Sequence, residues 1–183
     1  MSLVLVRPAR EADAFAIADV HVRAWDESYR GIAPDHVFDV LNIERRLAQW
    51  TSLLDPAKQD AANSWPIIRV AERDGEIVGF VAARPATAEI MAPRAQVMTL
   101  YVLAEAQGQG LGRALLKSIA RAVSERGLSG LALGVLPENH SAIGFYQRLG
   151  GTPIGTIIDP GPVWRSEETV FVWDDLSVLI GAN

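Results

Sequence analysis

The spacing of apolar and polar positions predicts strands and helices in a mixed order. Residues 3–7 form a short apolar run stopped by Pro8, which reads as a buried strand. A helical pattern follows through Phe15, Ile17, Ala18, Val20, His21, Val22, Ala24 and Trp25. Its acidic start, Glu11 and Asp13, suits the positive end of a helix. Gly31 interrupts the pattern, Pro34 restarts a helix through Val37, Phe38 and Leu41, and a third piece covers residues 44–54. Residues 55–66 are a polar loop. Residues 67–73 and 76–84 flank Asp74-Gly75, whose positive φ preference makes a hairpin turn.

Residues 95–103 read as a further strand. A glycine-rich loop, residues 107–112, leads into a helix over residues 111–126, with Leu111, Leu115, Ile119 and Val123 along one stripe and Gly127 ending it. A strand at 131–136 and a helix running from residues 137–139 to Leu149 come next. Gly150-Gly151 stops that helix, and strands at 152–158 and 169–173 flank a Pro/Gly-rich loop, residues 159–166. The resulting order, β-α-α-β-β-β-α-β-α-β-β, fits an α/β (α+β) fold with a mixed sheet and helices on both faces. No composition shift or repeat divides the 183 residues, so a single domain is expected over 1–183.

Composition narrows the chemistry. Twenty-two acidic against 17 basic residues give a net charge of −5, which disfavours nucleic acid or an anionic membrane as a partner. No cysteine is present, which excludes thiolate metal sites and cysteine nucleophiles. The three histidines lack metal-ligand spacing, so no metal is expected. The apolar run at residues 3–6 is too short for a signal peptide, and no stretch approaches a membrane span, so a cytoplasmic protein is expected.

The most informative segment is Gln107-Gly108-Gln109-Gly110-Leu111-Gly112-Arg113. A strand enters and an amphipathic helix leaves, so helix amides without internal partners face outward where glycines leave room for a phosphate. A tight turn without a ligand is the plain alternative. A P-loop needs Gly-Lys-Ser/Thr, and a dinucleotide fingerprint needs a glycine where Arg113 stands; neither fits.

The loop, following "LYVL", resembles the coenzyme A signature of the GNAT superfamily of acyl-CoA-dependent N-acyltransferases. The segment "NHSAIGFYQRLG", from Asn139 to Gly150, is similar to that family's Asn-x-x-Ala-x-x-Phe-Tyr-x-x-x-Gly helix. The resemblance spans most of the chain and also takes in "VHVRAWDESYRGIAPDHV". It implies a mostly antiparallel sheet of about six or seven strands. It also implies an N-acetyltransferase moving an acetyl group from acetyl-CoA to a primary amine of a small molecule or peptide, in a ternary complex.

By that resemblance, the backbones of Leu100, Tyr101 and Val102 pair with the pantetheine arm like a short added strand, and an amide at Leu100 or Tyr101 faces the oxyanion. Gln107, Gly108, Gln109, Gly110, Leu111, Gly112 and Arg113 hold the pyrophosphate. Asn139 and Ala142 lie along the pantetheine, and Tyr146 is the general acid that protonates the leaving thiolate. Asn139 and Tyr146, seven residues apart, share one side of a helix. Their plain alternatives are an N-cap and a core residue. Lys117 and Arg121 read as a solvated face, and His21 as core.

Candidates for the acceptor pocket are Trp25, Asp26, Tyr29, Arg30 and Trp164. The family's glutamate in the fourth strand is replaced by Gln96, which leaves the base unassigned, with Asp26 and Glu89 as candidates. That replacement also motivates an alternative, a non-catalytic acyl-CoA-binding sensor. The family's Gly-Phe after the second motif is Gly150-Gly151 here, a change expected to weaken packing behind the helix. The resemblance leaves a homodimer open.

Overall fold

The computed structural model describes residues 4–58, 64–161 and 164–181. Leu3, and parts of the loops expected at 55–66 and 159–166, lie outside the described residues. Strand β1 (Val4–Pro8) is followed by a 3-10 turn (Glu11–Asp13) and helices α1 (Ala14–Tyr29), α2 (His36–Val40) and α3 (Ile43–Leu53). Then come β2 (Ile67–Arg73), β3 (Glu76–Pro85), β4 (Ala95–Val102) and α4 (Leu111–Glu125). The chain continues through β5 (Leu131–Val135), α5 (His140–Arg148), β6 (Thr152–Asp159), β7 (Ser166–Trp173) and the short α6 (Ser177–Ile180).

The strands form one seven-stranded sheet in the order β1-β2-β3-β4-β5-β7-β6. Every neighbouring pair is antiparallel except β4 with β5. The hairpin turn has φ of 54° at Asp74 and 90° at Gly75, the pattern Asp-Gly accommodates at little cost. The β6–β7 arm differs from expectation. β7 begins at Ser166, three residues early, because Glu167 and Glu168 pair with Ile158 and Ile157 of β6. Tertiary pairing there overrides the low strand preference of two adjacent acids.

Helices cover both faces. On one, Ile17, Val20, His21 and Ala24 of α1 and Trp50 of α3 pack over Phe80 of β3. Asn42 caps α3 by accepting from the Arg45 amide at 3.1 Å. On the other face, Leu111, Leu115, Ile119 and Val123 of α4 are all buried, as the four-residue stripe requires. Truncating Leu115 to alanine costs about 3 kcal/mol by the usual core scale.

The close of α5 explains Gly150-Gly151. A Cβ on Gly151 would lie 2.7 Å from the Trp173 ring, and the indole donates to the Leu149 carbonyl at 2.9 Å. Trp173 packs behind the helix, so the expected weakening is met from the last strand.

Candidate functional site

The centre of the sheet is parted. β4 and β5 pair only at Ala95 with Leu131 and Gln96 with Ala132, and then separate. On its other side, β4 stays zipped to β3, with a bulge at Met98 where Ala82 faces Thr99 and Ala83 faces Val97. The parting leaves a row of strand groups with no sheet neighbour.

Register decides which groups those are. Leu103 donates to the Val78 carbonyl at 2.9 Å, so by antiparallel alternation Tyr101 also bonds toward β3 while Leu100 and Val102 face the gap. This corrects the expectation for Tyr101: its backbone pairs with Phe80, and it reaches the site through its side chain. The Val102 carbonyl already accepts from the Gln107 side chain at 2.9 Å, which ties the loop to the strand end. The Thr99 hydroxyl is buried without a hydrogen-bond partner beside this edge.

The glycine loop begins where β4 ends. Gly108 and Gly110 have φ of 73° and 80°, and nothing lies within 4 Å of where their Cβ atoms would stand. The left-handed backbone and the open space outside it both favour glycine. Gly112 also has a packing reason: its Cβ would lie 3.1 Å from the Phe145 ring, so glycine lets α5 pack onto α4. Within the helix, bonding starts with the Ala114 amide and the Gly110 carbonyl at 3.0 Å. The amides of the turn before it point away from the helix body.

Asn139 fulfils the plain alternative and more. Its side-chain oxygen caps α5, accepting from the Ala142 amide at 3.1 Å, and the side chain lies beside the Tyr29 phenol. Tyr29 in turn neighbours the Tyr101 phenol. The chain has three tyrosines, and all three converge here, because Tyr146 feels the charge of Tyr29 and of Glu168 on β7. Tyr146 is buried against Phe145, Phe171 and Trp173. Burial pushes the phenols of Tyr101 and Tyr146 above their usual range, and that of Tyr29 up as well, so all three are protonated at neutral pH.

The other candidates divide. Trp25 packs tilted against Tyr29 at 5.0 Å and edge-on to Phe38 at 4.9 Å, so it walls the cluster. Asp26 is occupied by an ion pair with Arg30, whose guanidinium lies 4.9 Å over Phe38. Trp164 makes no ring contact or hydrogen bond with the cluster among the described residues. Glu89 is exposed on the loop between β3 and β4. His21 is core: its Nδ1 accepts from the Trp50 indole at 3.1 Å, and burial keeps the ring neutral.

Two participants escape sequence reasoning. One is the Tyr101 side chain, hidden because the Met98 bulge breaks the alternation along β4. The other is Glu168, which falls between the loop expected at 159–166 and the strand expected at 169–173. The signal that would have found it is the apolar run 169–173 extended by two more alternations.

Comparison with known proteins finds clear relatives. The model of the acetyltransferase (GNAT) family matches residues 22–151. Over 178 residues the chain is 30% identical to Uncharacterized N-acetyltransferase YuaI of Bacillus subtilis, covering 97% of this chain and 96% of that protein. Among solved structures, the PaiA N-acetyltransferase of Thermoplasma acidophilum in complex with coenzyme A superposes with a TM-score of 0.71 at 19% identity, covering 93% of this chain and 98% of that one. YncA of Salmonella typhimurium, described as a putative acetyltransferase with its cofactor acetyl-CoA, gives 0.68 at 20% identity, over 96% and 95% of the two chains.

Proposed function

Because the chain belongs to the acetyltransferase (GNAT) family, we propose that it transfers the acetyl group of acetyl-CoA directly to a primary amine of a small molecule or peptide, with both reactants bound at once. The observation that carries this reading is the parting of β4 from β5, with the glycine loop at one end and Tyr146 beside it. The unpartnered Thr99 hydroxyl and the gap-facing edge of Leu100 and Val102 fit the amides of a pantetheine arm. The open side of Gly108 and Gly110 fits a diphosphate on the helix amides, and Arg113 carries positive charge on the same turn. The coenzyme A and acetyl-CoA in the two similar structures support the same reading.

Acetyl-CoA supplies an activated thioester. The protein contributes position, hydrogen bonds and proton transfers. The Leu100 amide points into the gap, where it stabilises negative charge developing on an acyl oxygen. Tyr146 holds its proton firmly at neutral pH and releases it to sulfur as the carbon–sulfur bond breaks. Trp25, Tyr29 and Tyr101 form an aromatic wall for the acceptor.

The test is thiol release from acetyl-CoA across polyamines, aminoglycosides, amino acids and peptides with free N-termini. Tyr146→Phe is expected to lower kcat about 100-fold with the calorimetric heat of acetyl-CoA binding retained. Equal turnover by that variant would remove Tyr146 from the mechanism. Binding heat with no thiol release for any amine would favour the sensor.

A further inference from the structure

Among the described residues, one carboxylate beside the parted strands, Glu168, has no ion-pair or hydrogen-bond partner. Glu168 lies opposite Ile157 on β6, and on the same face of β7 as Val170 and Val172. Those valines sit opposite Gly134 and Ala132 of β5, and Ala132 sits opposite Gln96. Glu168 therefore shares a face of the sheet with Gln96. Its side chain leans off its own strand and over Gly134. A Cβ at Gly134 would collide with the carboxylate oxygen and lie 3.0 Å from Cδ, so the glycine seats the acid on the strand that borders the gap.

The groups facing it are Asp159 from β6, Tyr29 from α1 and Tyr146 from α5. Among the described residues, no arginine or lysine pairs with it, and it makes no hydrogen bond or ion pair. The alternatives are weaker: Gln96 cannot take a proton, Asp26 is bound to Arg30, and Glu89 is exposed on the loop between β3 and β4.

We propose that Glu168 is the general base of the transfer, taking a proton from the acceptor's ammonium group onto its carboxylate. This rests on the acetyltransferase reading above and assigns the proton acceptor that reading lacks. The freed nitrogen bonds to the acetyl carbon as the carbon–sulfur bond breaks. Sulfur takes the Tyr146 proton, the surplus proton on nitrogen restores the phenol, and Glu168 passes its own proton to water. An ammonium and a thioester become an amide, a thiol and one released proton. Burial, helped by Asp159, pushes Glu168 up to about 7, which suits proton capture at neutral pH.

Two measurements test the assignment, one of them free of any acceptor. In protein labelled with 13C at the glutamate carboxyl and saturated with coenzyme A, the resonance absent from Glu168→Gln is expected to titrate near pH 7. A midpoint in the ordinary carboxylate range overturns the proposal. With benzylamine as probe, Glu168→Gln is expected to lose the ascending limb of kcat/KM near pH 7 and about 100-fold or more in rate there. Glu168→Asp keeps a limb at a lower rate. With methoxyamine, already neutral at pH 7, the same Glu168→Gln variant stays close to the parent. An unchanged benzylamine profile, or equal losses with both probes, overturns the base assignment. Failure of the acetyltransferase reading looks different: acetyl-CoA gives no binding heat while the carboxyl still titrates near 7.

Discussion

Glu72 and Glu168 sit on strands of one sheet, both partly buried, and they are treated in opposite ways. Glu72 on β2 receives two hydrogen bonds from the Arg7 guanidinium, at 2.9 and 3.0 Å. The same guanidinium binds Asp13 at 2.7 and 2.9 Å, which joins β1, the first turn and β2. Arg7 holds both carboxyls below their ordinary range. Among the described residues Glu168 has no such cation, and burial raises it instead. Partial burial is common to both; the partner decides the outcome. A paired carboxylate fastens the fold, whereas an unpaired one weakens it and stays basic enough to move protons.

Exchanging the two carboxylates' roles gives the largest expected effect. Glu168→Gln loses about 100-fold or more in acetyl transfer at pH 7, while Glu72→Gln keeps the parent rate and pH profile. A thiol-release assay on both variants measures the contrast directly. Giving Glu168 a cation should make it behave like Glu72. Ile157 lies directly across from it, so Ile157→Lys is expected to pull its titration downward. The kinetic limb then moves to lower pH, and the rate falls roughly 10-fold as the base weakens.

Removing a partner on the structural side has a smaller effect, on stability alone. Asp13→Ala leaves Arg7 half answered and is expected to cost about 2 kcal/mol, or roughly 4–8 °C in Tm. The pH dependences run in opposite directions. Asp13 and Glu72 are depressed in the fold, so their stabilisation is present above the unfolded carboxylate range and is lost as pH falls through the folded values. Glu168 is raised from 4.5 to about 7, so the folded state binds more protons in that interval and its contribution falls as pH rises. Glu168→Gln is therefore expected to melt about 2 °C higher than the parent at pH 8 and level with it at pH 4, by calorimetry.

Most of the fold was legible because local signals and packing agree. The Leu111-Leu115-Ile119-Val123 stripe, the Asp-Gly turn and the glycines before α4 each state their conformation in a few residues. The site was legible only as far as its motifs reach: the loop, Asn139 and Tyr146. Tyr101 was assigned to the gap through its backbone because the resemblance names the strand but not its hydrogen-bond register, which pairing with β3 sets. Glu168 was missed because its strand exists only through pairing with β6, a contact between segments whose own preferences point elsewhere. The packing need at Gly112 was not legible, because the neighbour that sets it, Phe145, is more than thirty positions away.

The two rungs between β4 and β5 have a mechanical consequence. The sheet behaves as a four-stranded blade and a three-stranded blade sharing a very short seam. Breathing motions concentrate there, since so little main-chain bonding resists them. Whatever lodges in the cleft stitches the blades together, and slower amide exchange at Leu100 and Val102 would register the stitch without any change of shape.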